Sequence, residues 1–389
     1  LSADEAKASP CPPPMEISLA QDLMAYCLSH SQALAQEEMR QRRQAQKNSE
    51  LFALVMRRSQ VSCQVGRMAG LEMARRLCMV SQAHGASLRR SLGVLSSSAS
   101  PEVYVCGGQA DRQTLATVVR FVESREVWEA LPPMPTARSF CCCAAVGGKI
   151  YVFGGEKDQR AAFAAAECFD PVTGEWERLP PMPTPRAGCA AAVATGKIFV
   201  CGGLVMAHQI VDAVESFCPE SRRWRRLPPM PTARCGCTAA GVGGRIFVMG
   251  GQLADGVVLD KVECLDLESQ VWLSLSPMPS ARSGLSAVLA DGLVHLIGGL
   301  GSTGHTIPVV DRFDPARNEW KQPLAASVAR AGFATGCAAG DRIYVVGGFG
   351  SDRQDSDKNE LLDVKSGNVL QMPPLPLARR LCSGAVVVR

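Results

Sequence analysis

The chain has 389 residues, 47% of them hydrophobic and 20% charged, a balance ordinary for a folded domain and enough length for two. Its net charge of +4 sits entirely in residues 1–99, which hold 12 basic and 8 acidic side chains; the remainder balances 29 against 29. A neutral main domain argues against a nucleic-acid surface, and no apolar run approaches the ~18 residues of a membrane span.

Residues 1–99 come first in the chain. The opening LSADEAKASPCPPP has neither the basic nor the apolar region of a signal peptide, and Leu1 stands where an initiator Met would, so a leader could be missing. Residues 15–84 contain no proline and are rich in Met, Leu, Ala, Gln, Glu and Arg, which predicts a mostly α-helical, partly disordered segment. Leu51, Leu54, Val61, Val65, Met68 and Leu71 fall on one helical face. QEEMRQRRQAQKNSE at 36–50 is polar all round, an exposed helix or linker.

Residues 100–389 are a repeat. Glycine doublets begin at Gly107, Gly154, Gly202, Gly250, Gly298 and Gly347, at intervals of 47 to 49. Trp128, Trp176, Trp224, Trp272 and Trp320 follow at intervals of 48, with Val369 in the sixth place. LPPMPTAR at 131–138 returns in five further versions, whose last residues complete the set Arg138, Arg186, Arg234, Arg282, Arg330 and Arg379. After each arginine comes a run of small residues, suited to an inner strand crowded around an axis. A β-branched and aromatic run follows and ends at the doublet; Tyr104, Tyr151, Phe199, Phe247, His295 and Tyr344 share one place in it. A third strand such as AECFD, a turn such as DPVTGE and the tryptophan strand complete the unit. Four short strands per 48 residues, repeated radially, predict a six-bladed β-propeller. The tryptophans are expected to be buried between blades. The sixth unit, with its charged FGSDRQDSDKNE and no tryptophan, is expected to be less well packed.

These residues together resemble the kelch repeat: a doublet, an aromatic three residues earlier, an acid-x-aromatic-Asp strand, then tryptophan. The resemblance covers about 290 residues and implies an all-β six-bladed kelch β-propeller closed by a C-terminal strand. MPPLPLARRLCSGAVVV at 372–388 would supply the inner strand for 102–107; the rival is 87–98. The BTB and BACK domains of kelch-like ligase adaptors are not recognised in residues 1–99.

The six arginines open the inner strands. In kelch-like adaptors, arginines at matching places contact acidic stretches of a bound protein, so the resemblance implies a partner-binding ring of Arg138, Arg186, Arg234, Arg282, Arg330 and Arg379. The other reading is internal pairing with the register-matched Glu167, Glu215, Glu263, Asp311 and Glu360. The most variable segments follow the doublets, where specificity usually resides. The 17 cysteines include no CxxC; with no signal peptide they suggest a reducing, cytoplasmic setting and read as small buried residues. His208 and His305 lie in separate loops, and Tyr104, Tyr151 and Tyr344 occupy the core place, so a copper site of the galactose-oxidase kind is not expected. The expectation is a protein-interaction scaffold or substrate-recognition module, not an enzyme, without metal or cofactor, binding a protein partner through an acidic segment. A kelch-type epimerase- or lyase-like enzyme and a cytoskeletal binding protein are the alternatives.

Overall fold

A computed structural model describes residues 101–388 apart from 159–160, 207–208, 325–329, 332–334 and 351. The helices expected over 15–84 lie outside the described residues. Six four-stranded antiparallel sheets form six blades. Blade 2 runs from the axis outward as Cys142–Val146, Lys149–Phe153, Ala166–Asp170 and Glu175–Leu179. Blades 3 to 6 repeat this order, with inner strands Ala190–Ala194, Thr238–Val242, Ser286–Ala290 and Thr335–Ala339. The six inner strands touch one another in a closed cycle.

Blade 1 is built from both ends of the propeller. Ser383–Val388 is its inner strand and pairs antiparallel with Pro101–Cys106, Tyr104 opposite Ala385. The expected closing strand is therefore in place, and the position open to 87–98 is filled.

Second strands are apolar without alternation because a blade packs on both faces. Tyr151 and Phe153 face blade 3, meeting Ile198, Val200 and Phe217. Ile150 and Val152 face blade 1, meeting Tyr104, Cys106 and Val118. The core is thus divided into interfaces between neighbouring blades. Burying a side chain such as Phe217 contributes about 1.5–3 kcal/mol.

The glycine doublet sits where the chain of the next blade crosses. A Cβ on Gly154, at φ +61°, would lie 2.2 Å from the Arg186 carbonyl oxygen. With the hydrogen in its place, the N–H of Gly155 donates to that same oxygen at 2.9 Å. Gly108, Gly203, Gly251, Gly299 and Gly348 donate to Arg138, Arg234, Arg282, Arg330 and Arg379 in the same way.

The tryptophans also cross blades. Trp176 Nε1 donates to Pro132 O and Trp224 Nε1 to Pro180 O, each at 2.9 Å, and Trp128 closes the circle on Pro373 O at 3.0 Å. Each ring packs inward, Trp224 on Phe217 and Phe153. All five tryptophans are half-buried, the outermost strand leaving one ring edge in water.

Candidate functional site

The start of each inner strand and the loop after each doublet share one face of the propeller. The residue after each arginine bridges to the residue after a doublet: Ser139 to Glu156, Ala187 to Leu204, Cys235 to Gln252, Ser283 to Leu300, Ala331 to Phe349 and, across the closure, Arg380 to Gln109. One position further on, a chain of backbone hydrogen bonds links the described inner-strand starts. Phe140 N–H donates to Leu381 O, Gly188 to Phe140, Gly236 to Gly188 and Gly284 to Gly236. Each of these residues has a left-handed φ, including the non-glycines Phe140 at 53° and Leu381 at 54°. The sequence has glycine two residues after four of the six arginines, but Phe140 and Leu381 concealed the pattern.

The arginine side chains turn inward. Arg138, Arg186, Arg234 and Arg282 have no exposed surface, Arg379 retains 1% and Arg330 6%. Arg234 shows the arrangement: Nη1 donates to Gly250 O and Lys261 O, both at 3.1 Å, Nε donates to Thr232 O, and Nη2 pairs with Glu263 at 2.9 Å. Thr232 donates its hydroxyl to the other Glu263 oxygen at 2.6 Å. Arg138 pairs with Glu167 and Arg186 with Glu215, each at 2.8 Å; Arg282 pairs with Asp311 at 2.5 Å and Arg330 with Glu360 at 3.3 Å. In the fourth pair burial pulls Arg282 down and pushes Asp311 up, while their mutual attraction opposes both shifts.

Blade 1 has Val119 where the other blades have the acid, and among the described residues no carboxylate pairs with Arg379. Its guanidinium instead donates to Gly107 O, Leu377 O and the Thr117 hydroxyl, and burial lowers its pKa. All six guanidinium groups thus lie inside the blades, five of them on the register-matched acids. A buried cation is stabilised by a paired carboxylate and nearby carbonyls, and the fold supplies both within the blade. The arginines tie each loop base to its own blade through the side chain and to the preceding blade through the backbone.

What the face exposes is the loops. Met206 and Val257 are exposed apolar tips, and Asp111, Arg112, Lys157, Asp158, Asp255, Asp352 and Arg353 are exposed charges of both signs. Arg380 is held by Asp355 at 2.9 Å and lies over the Phe349 ring. His295 is buried at the core place, and burial lowers its pKa. His305 is exposed, and His208 lies outside the described residues. Among the described residues no cluster of His, Cys, Asp or Glu has the arrangement to hold a metal ion, and no helix is long and apolar enough to cross a membrane. The twelve cysteines whose side chains are described carry free thiols, ten of them buried.

Comparison with known proteins agrees with the propeller fold. A family model described as the KLHDC2/KLHL20/DRC7 Kelch-repeats domain matches residues 71–251 and 228–373. Kelch-like protein 33 of Homo sapiens is 38% identical over 79 residues, which cover 20% of this chain and 15% of that protein. A solved structure titled "Structure of YjhT" superposes with a TM-score of 0.58 at 18% identity, covering 69% of this chain and 96% of that one, a likeness of fold. With the family model spanning most of its length, the chain belongs to the kelch-repeat family.

Proposed function

We propose that residues 100–389 form a protein-interaction or substrate-recognition module whose partner docks on the face formed by the loops after the glycine doublets. The observation that carries this reading is the contrast between base and tip. The loop bases are held by the same arginine, glycine and backbone bridge in blade after blade, while the tips differ in length, charge and apolarity. A rigid scaffold presenting dissimilar loops is an arrangement suited to selective binding. Membership of the kelch-repeat family supports it.

The six arginines enter this proposal as positioning residues. Five of them are neutralised inside the blades, so they offer an acidic segment no free guanidinium. Contact falls to the tips, with Met206 and Val257 as apolar anchors.

The test is affinity capture with the full chain, compared by mass spectrometry among variants. Met206→Asp and Val257→Asp should lower capture of the specific partners at least tenfold with the melting temperature unchanged. Glu268→Lys, in a turn on the opposite face, should leave capture intact. Retention of every partner by both loop variants, with loss in Glu268→Lys, would place recognition on the other face.

A further inference from the structure

Blade 2 carries three consecutive thiols, Cys141, Cys142 and Cys143, where its inner strand begins, and blade 3 adds Cys189. With Cys237 and Cys382 they line a cavity of about 120 Å³ in the central channel. One pair in this group is in contact: Cys142 Sγ and Cys189 Sγ lie 3.5 Å apart across the interface between blades 2 and 3.

The contact is set by the backbone. Gly188, just before Cys189, donates its N–H to Phe140 O, two residues before Cys142, at 2.8 Å. Forming a disulfide of about 2.0 Å from this contact requires the sulfurs to close by roughly 1.5 Å. The described neighbours cannot do the same. The place of Cys142 is taken by Ala190 in blade 3, Thr238 in blade 4, Ser286 in blade 5 and Ser383 in blade 1. The two thiols are also unequal. The contact between them holds Cys189 below the usual thiol range and raises Cys142 well above it. Each residue is 5% exposed, and both line the cavity.

We propose that Cys142 and Cys189 are a reversible disulfide site, oxidised by a hydrogen-peroxide-sized oxidant that enters the channel cavity and linking blades 2 and 3 at the axis. Cys189 is the attacking thiolate. Its sulfur takes one peroxide oxygen: an S–O bond forms, the O–O bond breaks, and the departing hydroxide leaves as water after gaining a proton. Cys189 is then a sulfenic acid. Cys142 gives up its proton and attacks that sulfur; the S–S bond forms, the S–O bond breaks and a second water leaves. Two thiols and one peroxide become one disulfide and two waters, the thiols losing the two electrons that the peroxide gains. A small dithiol reverses the reaction by thiol–disulfide exchange.

The experiment treats the full chain with increasing hydrogen peroxide, blocks remaining thiols by alkylation, and maps peptides without reduction. The expected result is a Cys142–Cys189 linked peptide that appears before other cysteines are modified, disappears with dithiothreitol, and accompanies a rise of a few degrees in melting temperature. Cys142→Ala places in blade 2 the residue blade 3 already has, and Cys142→Ser the residue of blades 1 and 5, so at least one should fold. In either, the linked peptide should vanish and dimedone should trap Cys189 as its sulfenic acid. Oxidation confined to the more exposed Cys143 and Cys218, with Cys142 and Cys189 still alkylatable after unfolding, would overturn the proposal.

Discussion

The repeated arginine illustrates how far a single residue's role depends on what surrounds it. Arg234→Met would leave Glu263, 3% exposed, without its cation inside the blade. Breaking one side of a buried pair costs about 3–5 kcal/mol, mostly the stranded charge. Arg379→Met strands carbonyls and a hydroxyl but no carboxylate, and should cost about 1–3 kcal/mol. Urea unfolding of the two variants separates the contributions. Equal losses would show that the guanidinium's bonds to carbonyls, common to both sites, carry the stability. A melting temperature unchanged in Arg234→Met would return the arginines to the exposed role that the resemblance implied.

At the scale of the element, the turn from third to outer strand repeats one device. Asp170, Asp266, Asp314 and Asp363 each accept backbone N–H bonds from the residues that follow. All four carboxyl groups are held below the ordinary range: Asp170 chiefly by Lys149, Asp266 by the Ser269 N–H, Asp363 by the Ser366 N–H, and Asp314 by Arg317, which takes it to about 2. A depressed acid contributes stability that is present above its unfolded value, here 3.8, and is lost as pH falls through the folded one. Thermal melts should therefore show stability falling as pH drops from about 4 toward 2, and Asp314→Asn should flatten that slope. The outer strand that follows carries the tryptophan. Trp224→Ala should cost about 2–3 kcal/mol, below the roughly 3–5 kcal/mol of a fully buried ring, since the side chain is half-buried. Trp224→Phe, keeping the packing and losing the bond to Pro180 O, should cost less, about 1 kcal/mol.

For the whole molecule, closure is the decisive contact. Ser383–Val388 completes blade 1, and Trp128 reaches back to Pro373 across the same junction. Removing 380–389 uncovers one edge of the Pro101–Cys106 strand and opens the cavity lined by Cys382. The truncated chain should lose its single cooperative melt and enter higher-mass species in size-exclusion chromatography. A monomer with the full-length melting temperature would show that the ring does not depend on this strand.

The number of blades, the order of strands and the closing segment were legible because a propeller blade is a local unit. Doublet, tryptophan and arginine recur at a near-constant spacing, so one 48-residue pattern read six times defines the architecture. The pairing of arginines with Glu167, Glu215, Glu263, Asp311 and Glu360 was legible as an alternative, through their common register. Which way the guanidinium turns was not. Its acceptors are the first glycine's carbonyl, a loop carbonyl and a third-strand acid, brought together only when the blade closes. Nor could the sequence say that Cys142 and Cys189, 47 residues apart, would touch. Their separation along the chain reports one repeat, whereas their distance is set by how two inner strands lean together at the axis. Local spacing encodes the blade, but packing between blades decides which side chains are buried, which meet and which remain for a partner.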